Sequence, residues 1–385
     1  MKITSIKTAA SIGHCMHVWV KVETDAGITG MGECVHGEHE AIAIIRTLEP
    51  MLVGRDPFAI DALFEETRRH FVFQGGFAGA MITALTGVEI ALWDLKGKAL
   101  NVPVYELMGG KFRDRVKVYA DCEVSPGLNM DETRRVVDGI LERGFTALKV
   151  DLDIFAYGHI GSETEHYIKD RFNMTPTRWE HDRMVQLAEM VVEAAGPEVE
   201  VACDLHTRLD KHSAIRLGRD LEHLKLMWLE EPIPPENVDT MREITAATST
   251  PICAGENLYL RHGFREWFEK HAVDIIMPDI PKCGGLSECR KIANMAEIYS
   301  IPFAPHNVSS PLGTMASAQV CATIPNFMIL EFHWTTRDWW STVIGEKRDI
   351  IRNGHIEVSD APGIGVTLDE DVARQHQFPG TTWFA

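Results

Sequence analysis

The chain has 385 residues, of which 45% are hydrophobic and 24% are charged, and its formal net charge is −18 at pH 7. This acidic balance disfavours a nucleic-acid partner, because phosphates would be repelled. The start, MKITSIKTAASIG, lacks the apolar core of an export signal, and no later run reaches the roughly 18 apolar residues of a membrane span. Eight scattered cysteines without a CxxC pair indicate reduced thiols. We therefore expect a cytoplasmic globular protein, long enough for a barrel of about 250 residues and a second domain.

The first 112 residues show strand patterns followed by helix patterns. The runs KITSIKTA and MHVWVKVETD, then AGITGMGE after a turn at 25–27, predict a small antiparallel sheet. Between residues 38 and 108 the apolar residues recur at helical spacing, and Asp56-Pro57 has the chemistry of a helix start. Residues 1–112 are therefore predicted to form an α+β capping domain.

From Val116 onward, strand-like runs alternate with helical segments. The runs are VKVYADCE, FTALKVD, VEVACD, LKLMWLE, TPICAGE, VDIIMPD, IPFAPH and NFMILE. Alternation of this length predicts a (β/α)8 barrel over residues 113–340, with its functional side chains at the carboxyl ends of the strands. The 53 positions from Asp151 to Asp204 are about twice the neighbouring spacing, so we expect an inserted loop within residues 152–180, over the site.

Carboxylates end three of these runs at equal spacing. They are Asp204, Glu230 and Glu256, each 26 positions after the one before. Because a βαβ unit takes about 30 residues, acids at this spacing would project from the same ends of neighbouring parallel strands. Gathered carboxylates repel one another unless a cation neutralises them, and an oxygen-only set without Cys or His suits Mg²⁺ better than zinc. For each acid taken singly, a helix N-cap or an exposed loop position is the alternative.

Further polar side chains end the other strand-like runs. MPD ends at Asp279, IPFAPH at His306 and MILE at Glu331. A histidine beside an aspartate from the preceding strand has the arrangement of a general base, although most lone histidines are structural. Lys149, close to Asp151 at the end of the second run, is a cation placed where an anionic substrate or an enolate would lie.

A series of short motifs runs in order along nearly the whole chain. They are ALTGVEIALWDLKGKALNVPVYELMGG at 84–110, then KVD, DLHTR, LEEP, AGE, MPDIPKCGG, APHNVSSPLG and ILE, and finally APGIGV at 361–366. Each motif alone is weakly specific, but in this order they resemble the mandelate racemase subgroup of the enolase superfamily. Within that subgroup the chain is most similar to acid-sugar dehydratases of the galactonate dehydratase type. The resemblance implies a modified TIM-type barrel, with a capping domain completed by residues 341–385.

The same resemblance implies roles for the residues at the strand ends. A Mg²⁺ ion would be bound by Asp204, Glu230 and Glu256. The ion would hold the substrate carboxylate and stabilise the enediolate that forms when the α-proton leaves. His306, paired with Asp279, would be the base that removes this proton, and His206 would be the general acid on the departing 3-hydroxyl.

Two more roles and one departure follow from the resemblance. Glu331 would hydrogen-bond a substrate carboxylate oxygen on the side opposite Lys149, and Arg208 would bind polar substrate groups. Racemases of this subgroup have a K-x-K pair whose second lysine is a base, whereas this chain has Asp151 at that position. Because racemisation needs a base on each face of the α-carbon, this departure favours a one-base β-elimination assisted by His206. Asp151 could bind a substrate hydroxyl or pair with a loop cation.

The leading hypothesis is a Mg²⁺-dependent dehydratase that converts an aldonate-type sugar acid into its 2-keto-3-deoxy product. The alternatives are an epimerase, racemase or cycloisomerase of the same superfamily, and a non-catalytic homologue. We expect a small sugar acid as substrate, neither nucleic acid nor membrane as partner and, from the resemblance, a homo-oligomer. Candidate specificity segments are 11–17, 33–39 and 152–180, the last of which carries Tyr157, His159, His166 and Trp179. For each of these four side chains, a solvent-facing loop position is the alternative.

Overall fold

The computed structural model of the chain describes residues 1–13, 15–36, 38–124, 127–153, 174–333, 339–345 and 349–385. A small antiparallel sheet with packed helices forms the N-terminal part, and a parallel sheet with alternating helices follows it. Within the described ranges, no helix is both long and apolar enough to cross a membrane.

The N-terminal sheet lies against a long buried helix. Its strands are β1 (Ile3–Ile12), β2 (Met16–Thr24) and β3 (Thr29–Cys34), antiparallel and in that order. The helices that follow are α1 (Glu38–Leu52), α2 (Ile60–His70) and α3 (Ala80–Leu100). Helix α3 approaches β3 closely because glycines meet there: a Cβ on Gly32 would lie 2.2 Å from the carbonyl oxygen of Gly87. Larger side chains at these two positions would push the helix off the sheet.

The helix start predicted at Asp56-Pro57 was wrong. Helix α2 begins at Ile60, and the residue before it, Ala59, makes no side-chain cap. The Asp56 carboxylate instead accepts a hydrogen bond from the Phe58 amide at 3.0 Å. This local bond closes a turn ahead of the helix, which is the competing use of an Asp-Pro pair.

A parallel sheet begins after the short helix α4 (Val104–Leu107). Its strands are β4 (Arg115–Cys122), β5 (Ala147–Asp151), β6 (Glu200–Asp204), β7 (Trp228–Glu230), β8 (Ile252–Ala254), β9 (Ile275–Ile276) and β10 (Leu330–His333). Strands β4 to β9 pair in chain order, and β10 pairs with β4. Phe303, from the run IPFAPH, forms parallel bridges to Ile276 and Phe327, which joins the β9 side of the sheet to the β10 side. The predicted modified (β/α)8 barrel is confirmed.

Helices cover the outside of this barrel. They are α5 (Met130–Glu142), α6 (Arg178–Ala195), α7 (Lys211–Asp220), α8 (Val238–Thr245), α9 (Leu260–Glu269), α10 (Ile280–Cys283), α11 (Gly285–Ile298) and α12 (Pro311–Cys321). Short 3-10 helices lie at Val72–Gln74, Glu222–Leu224 and Ser341–Ile344. Several α-helices begin with a side-chain cap, and Thr177 and Glu180 form a capping box at the start of α6.

Alternation along the strands sorts the barrel interior into layers. The lower layer is apolar and buried, and includes Tyr119, Ala147, Ala202 and Trp228. Two residues further along the same strands stand Asp121, Lys149, Asp204 and Glu230, which are also buried. The polar layer therefore lies towards the carboxyl ends of the strands, above an apolar floor.

The C-terminal segment contacts both parts of the protein. Its strands β11 (Ile351–Arg352) and β12 (His355–Glu357) form a hairpin that pairs antiparallel with β4, and α13 (Glu370–Gln375) follows. Further along, the Phe378 amide donates to the carbonyl of Ala10 in β1 at 2.9 Å. The division into residues 1–112, 113–340 and 341–385 stays a prediction.

Three buried carboxylates of the N-terminal part accept hydrogen bonds from backbone amides of later segments. Glu33 accepts from the Ser310 and Gly313 amides, at 2.8 and 2.9 Å. Glu89 accepts from the Leu286 and Ser287 amides, at 2.9 and 3.0 Å, and Asp94 accepts from the Ile364 amide at 3.0 Å. Amides at a helix start have no partner within the helix, so Glu33 and Glu89 satisfy the starts of α12 and α11. These contacts fix the N-terminal sheet and its helices to the barrel.

Candidate active site

Strand register brings the predicted acids together. Asp204 is the Cα partner of Asp151 on one side and of Glu230 on the other. Glu256 lies two residues beyond the end of β8 and follows Gly255, whose φ is +137°. Because parallel strands present their carboxyl ends at one mouth of the barrel, all of these carboxylates belong to the same end.

Lys149 lies among the carboxylates of this layer. Its Nζ is 2.8 Å from Oδ2 of Asp204, 3.0 Å from Oε1 of Glu230 and 2.8 Å from Oε1 of Glu331. Burial by itself lowers the pKa of Lys149, but the charges of Asp204 and Glu230 more than offset it and raise the pKa well above its usual value. Lys149 thus stays charged, and it contacts Glu331 directly, whereas the resemblance implies that the two lie on opposite sides of the substrate.

The donor set of Asp204, Glu230 and Glu256 fits a divalent metal ion. These side chains offer oxygen ligands only, and they are 2%, 0% and 15% exposed. Burial raises the pKa of Glu230 well above its usual value, and the neighbouring charge of Asp204 adds to the increase. A divalent cation would relieve this repulsion, and hard cations prefer such oxygen ligands.

Closely spaced groups of imidazoles and carboxylates also surround this layer. In the described residues, three groups have possible ligand atoms within 4.8 Å of one another: His36 with Asp279 and His306, His306 with Glu331 and His333, and Asp151 with Asp153 and His206. Glu256 contacts His306 instead of the two other predicted ligands, with Oε2 3.0 Å from Nε2. The predicted triad therefore converges on the layer without forming one of these close groups.

His306 is held by a carboxylate on each side of its ring. Nδ1 lies 2.7 Å from Oδ2 of Asp279, which is fully buried, and Nε2 faces Glu256. Burial alone lowers the pKa of His306, but the charges of Glu331 and Glu256 raise it well above its usual value. The predicted pairing with Asp279 is thus present as a contact, and the role of His306 stays a prediction.

His206 occupies a constrained turn directly after β6. Its amide donates to Oδ1 of Asp204 at 2.9 Å, and Nε2 of the ring lies 3.8 Å from Oδ2 of the same residue. Nδ1 lies 3.3 Å from Oδ1 of Asp153. Burial lowers the pKa of His206, but the Asp204 charge and the hydrogen bond to Asp153 together raise it to about 11. Both carboxylates therefore favour the protonated form of the ring.

The predicted substrate-binding residues lie beside His206. Nε of Arg208 is 3.6 Å from Oδ2 of Asp153. Burial raises the pKa of Asp151 to about 7, and the charge of its strand neighbour Asp204 contributes. Asp151 therefore faces the acidic layer from the position where a racemase would carry its second lysine.

Several residues at the site were missed in the sequence. They are His36, Asp121, Asp153 and His333. Asp121 and His333 stand at the ends of β4 and β10, so the same strand-end signal could have found them. Asp153 lies two residues past the end of β5, and no spacing rule pointed to it. His36 comes from the loop after β3, with Nε2 4.0 Å from Oδ2 of Asp279, so part of segment 33–39 does reach the site.

Some predicted specificity residues lie outside the described residues. These are His14, Gly37 and most of the 152–180 segment, including Tyr157, His159 and His166. Trp179 is described and lies in α6, with 37% of its surface exposed. Its ring lies 5.2 Å from the guanidinium of Arg183 in the same helix. Trp179 is therefore partly exposed, as the alternative expects, but on a helix and not on a loop.

Comparison with known proteins agrees with this geometry. Residues 3–109 match the family model of the mandelate racemase / muconate lactonizing enzyme N-terminal domain, and residues 132–372 match the enolase C-terminal domain-like family. The chain is 44% identical to a D-xylonate dehydratase of Haloferax volcanii, over 100% of this chain and 90% of that protein. It is 33% identical to a D-galactonate dehydratase of Variovorax paradoxus, over 96% and 93% of the two chains.

A solved structure matches over the same extent. The crystal structure of a mandelate racemase/muconate lactonizing enzyme-like protein from Rubrobacter xylanophilus superimposes with a TM-score of 0.93 at 44% identity, covering 100% of this chain and 99% of that one. The chain belongs to the mandelate racemase / muconate lactonizing enzyme family of the enolase superfamily. Within it, the protein is an acid-sugar dehydratase, a hydro-lyase that acts on sugar acids.

Proposed function

We propose that the protein is a Mg²⁺-dependent aldonate dehydratase whose first candidate substrate is D-xylonate or another five-carbon aldonate. The observation that carries the proposal is the pair of imidazoles at the acidic layer, each with Nε2 towards a carboxylate that would bind the metal ion. His306 lies against Glu256, and His206 lies against Asp204. The similarity to a D-xylonate dehydratase supports the substrate class.

Asp204, Glu230 and Glu256 would hold the metal ion. When bound, Mg²⁺ supplies positive charge that stabilises the negative charge developing on the substrate carboxylate as the α-proton leaves. Glu256, one of these three residues, also helps to raise the pKa of His306, so a cation held there would oppose that increase. The acidic layer would thus affect both the charge on the substrate and the pKa of His306.

His306 takes the α-proton on Nε2 in its neutral form. Its Nδ1–H donates to Asp279 at 2.7 Å, and this contact fixes both the ring orientation and the tautomer. Asp279 is fully buried, so it also stabilises the imidazolium that forms. The pair from adjacent strand ends therefore acts as the base.

His206 protonates the departing 3-hydroxyl. The electron pair of the broken Cα–H bond forms the double bond to C3, the C3–O bond breaks, and the oxygen leaves as water with the proton from His206. The resulting enol then becomes the 2-keto-3-deoxy acid. A protonated imidazole is needed for this step, and the Asp204 charge and Asp153 favour that form.

The remaining side chains bind substrate and balance charge. Lys149 bridges Glu331 to the metal carboxylates and keeps Glu331 ionised, since it helps to lower the pKa of Glu331 to about 2 against the effect of burial. Glu331 then accepts hydrogen bonds from the substrate, and its Oε2 already accepts from the Asn307 amide at 3.0 Å. Arg208 and Asp151 bind substrate hydroxyl groups beside His206.

Asp151 favours elimination over racemisation. A racemase of this subgroup uses the second lysine of its K-x-K pair as the base on the other face of the α-carbon, and this chain has Asp151 in place of that lysine. An epimerase or cycloisomerase remains the second candidate function. It predicts solvent deuterium at the α-carbon of recovered substrate, or a rearranged product, without net loss of water.

The test is a substrate panel with purified protein and Mg²⁺. Five- and six-carbon aldonates of different configuration are incubated, and 2-keto-3-deoxy acids are measured as semicarbazones. We expect turnover of D-xylonate or a related aldonate, and none after His306→Asn. Silence across the panel from a folded protein that still binds Mg²⁺ contradicts the proposal. A homo-oligomer is proposed from the family resemblance alone, and the molar mass in solution tests it.

A further inference from the structure

A second carboxylate-imidazole pair lies at the site besides Asp279 and His306. Asp153 lies just beyond β5, and its side chain is 13% exposed. One oxygen, Oδ1, is 3.3 Å from Nδ1 of His206, and the other, Oδ2, is 3.6 Å from Nε of Arg208. A single carboxylate thus contacts two residues that the proposed function places around the 3-hydroxyl.

The backbone that carries His206 is already fixed by other contacts. His206 and Thr207 both have positive φ, at +41° and +64°. Residues other than glycine adopt such backbone angles rarely, and only where the surrounding structure imposes them. The Thr207 amide donates to the Glu231 carbonyl at 2.7 Å, and the Arg208 amide donates to the Leu205 carbonyl at 2.9 Å. With the main chain held in place, the imidazole ring can still rotate about its side-chain bonds. Asp153 contacts Nδ1 of the ring and restrains this rotation.

We propose that Asp153 is the positioning residue for loss of the 3-hydroxyl, holding Nδ1–H of His206 so that Nε2 carries the proton delivered to the leaving oxygen. This inference rests on the proposed function. Nε2 is the nitrogen that faces the acidic layer, 3.8 Å from Oδ2 of Asp204. Asp153 therefore orients the ring of the proposed general acid, His206, as Asp279 orients the ring of the proposed base, His306. It touches no reacting atom itself.

Asp151 is the competing residue for this role, and the geometry disfavours it. Asp151 is the strand partner of Asp204, so it lies beside the metal carboxylates. Nδ1 of His206 lies 3.3 Å from Asp153, and Arg208 lies 3.6 Å from that same carboxylate. Removing Asp153 therefore removes the contact to Nδ1 of His206 and one contact of Arg208, while the acidic layer is left intact.

Loss of the hydroxyl can be separated from removal of the α-proton. In the hydroxyl substrate, the C3–O pair leaves with oxygen and needs a proton from His206. In a 3-deoxy-3-fluoro aldonate, the C3–F pair leaves as fluoride ion, which needs no proton. A residue that acts through His206 matters for the first substrate and not for the second.

The experiment compares Asp153→Ala and Asp153→Asn with wild type on both substrates. For the hydroxyl substrate, Asp153→Ala should lower kcat about 100-fold with KM changed less than about threefold, because a misplaced general acid loses most of its contribution. Asp153→Asn keeps an acceptor for Nδ1–H, so its kcat should lie between those of Asp153→Ala and wild type. Both variants should release fluoride from the fluoro substrate at nearly the wild-type rate. In D₂O they should still exchange the α-hydrogen of recovered hydroxyl substrate.

The matched control is Asp220→Asn. Asp220 pairs with His181 at 2.7 Å on the outer helices, so the variant also removes a carboxylate from a histidine, but away from the site. It should keep wild-type kcat on both substrates. If the Asp153 variants match this control on the hydroxyl substrate, or lose fluoride release by the same factor as dehydration, the inference is wrong. If wild type itself dehydrates no sugar acid, the proposed function fails first, and the inference falls with it.

Discussion

Nδ1 of His306 lies 2.7 Å from Oδ2 of Asp279, and the Asp279 side chain is fully buried. The two residues stand 27 positions apart in the chain and end consecutive strand-like runs. A buried carboxylate at this distance permits one tautomer of the ring, with the proton on Nδ1 and the lone pair on Nε2. The orientation of the His306 ring, the proposed base, is thus set by a side chain that need not touch the substrate.

Asp279→Asn should lower kcat far more than it changes KM. The amide keeps the shape of the side chain but can donate to Nδ1, which favours the tautomer with its proton on Nε2 and removes the base. A fall of about 10²- to 10⁴-fold is the expected size. The measurement is steady-state kinetics together with solvent exchange of the α-hydrogen. Retention of more than about a third of wild-type kcat in a folded variant would contradict this role for Asp279.

The strand-end acids could be predicted because register is a property of the sequence pattern. Asp204 and Glu230 are 26 positions apart, and they are Cα partners on adjacent parallel strands. The convergence of His306 with Asp279 follows from the same rule, since both stand where consecutive runs end. These predictions needed only the spacing of apolar runs and the rule that barrel strands share one open end.

Other features of the site depend on three-dimensional detail that spacing does not contain. The contact of Lys149 with Glu331 joins strands far apart in sequence and depends on how far a long side chain extends. The pairing of Asp153 with His206 depends on positive φ at His206 and Thr207, two non-glycine residues that give no sequence signal for it. Glu33 is another case, because its partners at the start of α12, the amides of Ser310 and Gly313, lie 277 and 280 positions later.

Removal and return of the metal ion should change stability as well as activity. After treatment with EDTA, addition of Mg²⁺ should raise the melting temperature, because a ligand that binds only the folded state stabilises it by about 2.7 kcal/mol at 100 times its dissociation constant. Glu230→Gln should abolish most of this increase, since the amide removes a negative ligand. Glu243→Gln, at an exposed glutamate paired with Lys211, is the control and should keep it. An equal increase in both variants would exclude Glu230 as a ligand.

Gly285→Ala should destabilise the contact between α3 and α11. Gly285 has φ of +84°, and a Cβ there would lie 2.1 Å from Oε2 of Glu89. The strain and the clash together should cost about 2 kcal/mol or more, and should lower the melting temperature by several degrees. Gly263→Ala is the matched control, because this helical glycine in α9 has nothing within 4 Å of its would-be Cβ. Calorimetry of both variants tests the prediction, and equal melting temperatures would contradict it.

Glu89 should make the stability of the protein depend on pH in one direction. Burial raises the pKa of Glu89 from 4.5 to about 7, although hydrogen bonds from Ser287 and Leu286 partly oppose this. The folded state therefore holds the proton more tightly than the unfolded state between these values. The stabilising effect of this bound proton is complete below pH 4.5, is lost as the pH rises towards 7, and changes no further above that.

Glu89→Gln removes this titration, and it also places amide hydrogens against the Leu286 and Ser287 amides, at a cost of about 1–3 kcal/mol. The variant should melt below wild type at about pH 5, and this difference in stability should shrink as the pH rises to about 7.5, by up to about 1.4 kcal/mol for each pH unit. Glu297→Gln, at an exposed position on α11, is the control and should follow wild type throughout. Melting temperatures of wild type and both variants, measured across this pH range, test the prediction. A gap that stays constant or widens with rising pH would show that the hydrogen bonds of Glu89 outweigh its burial.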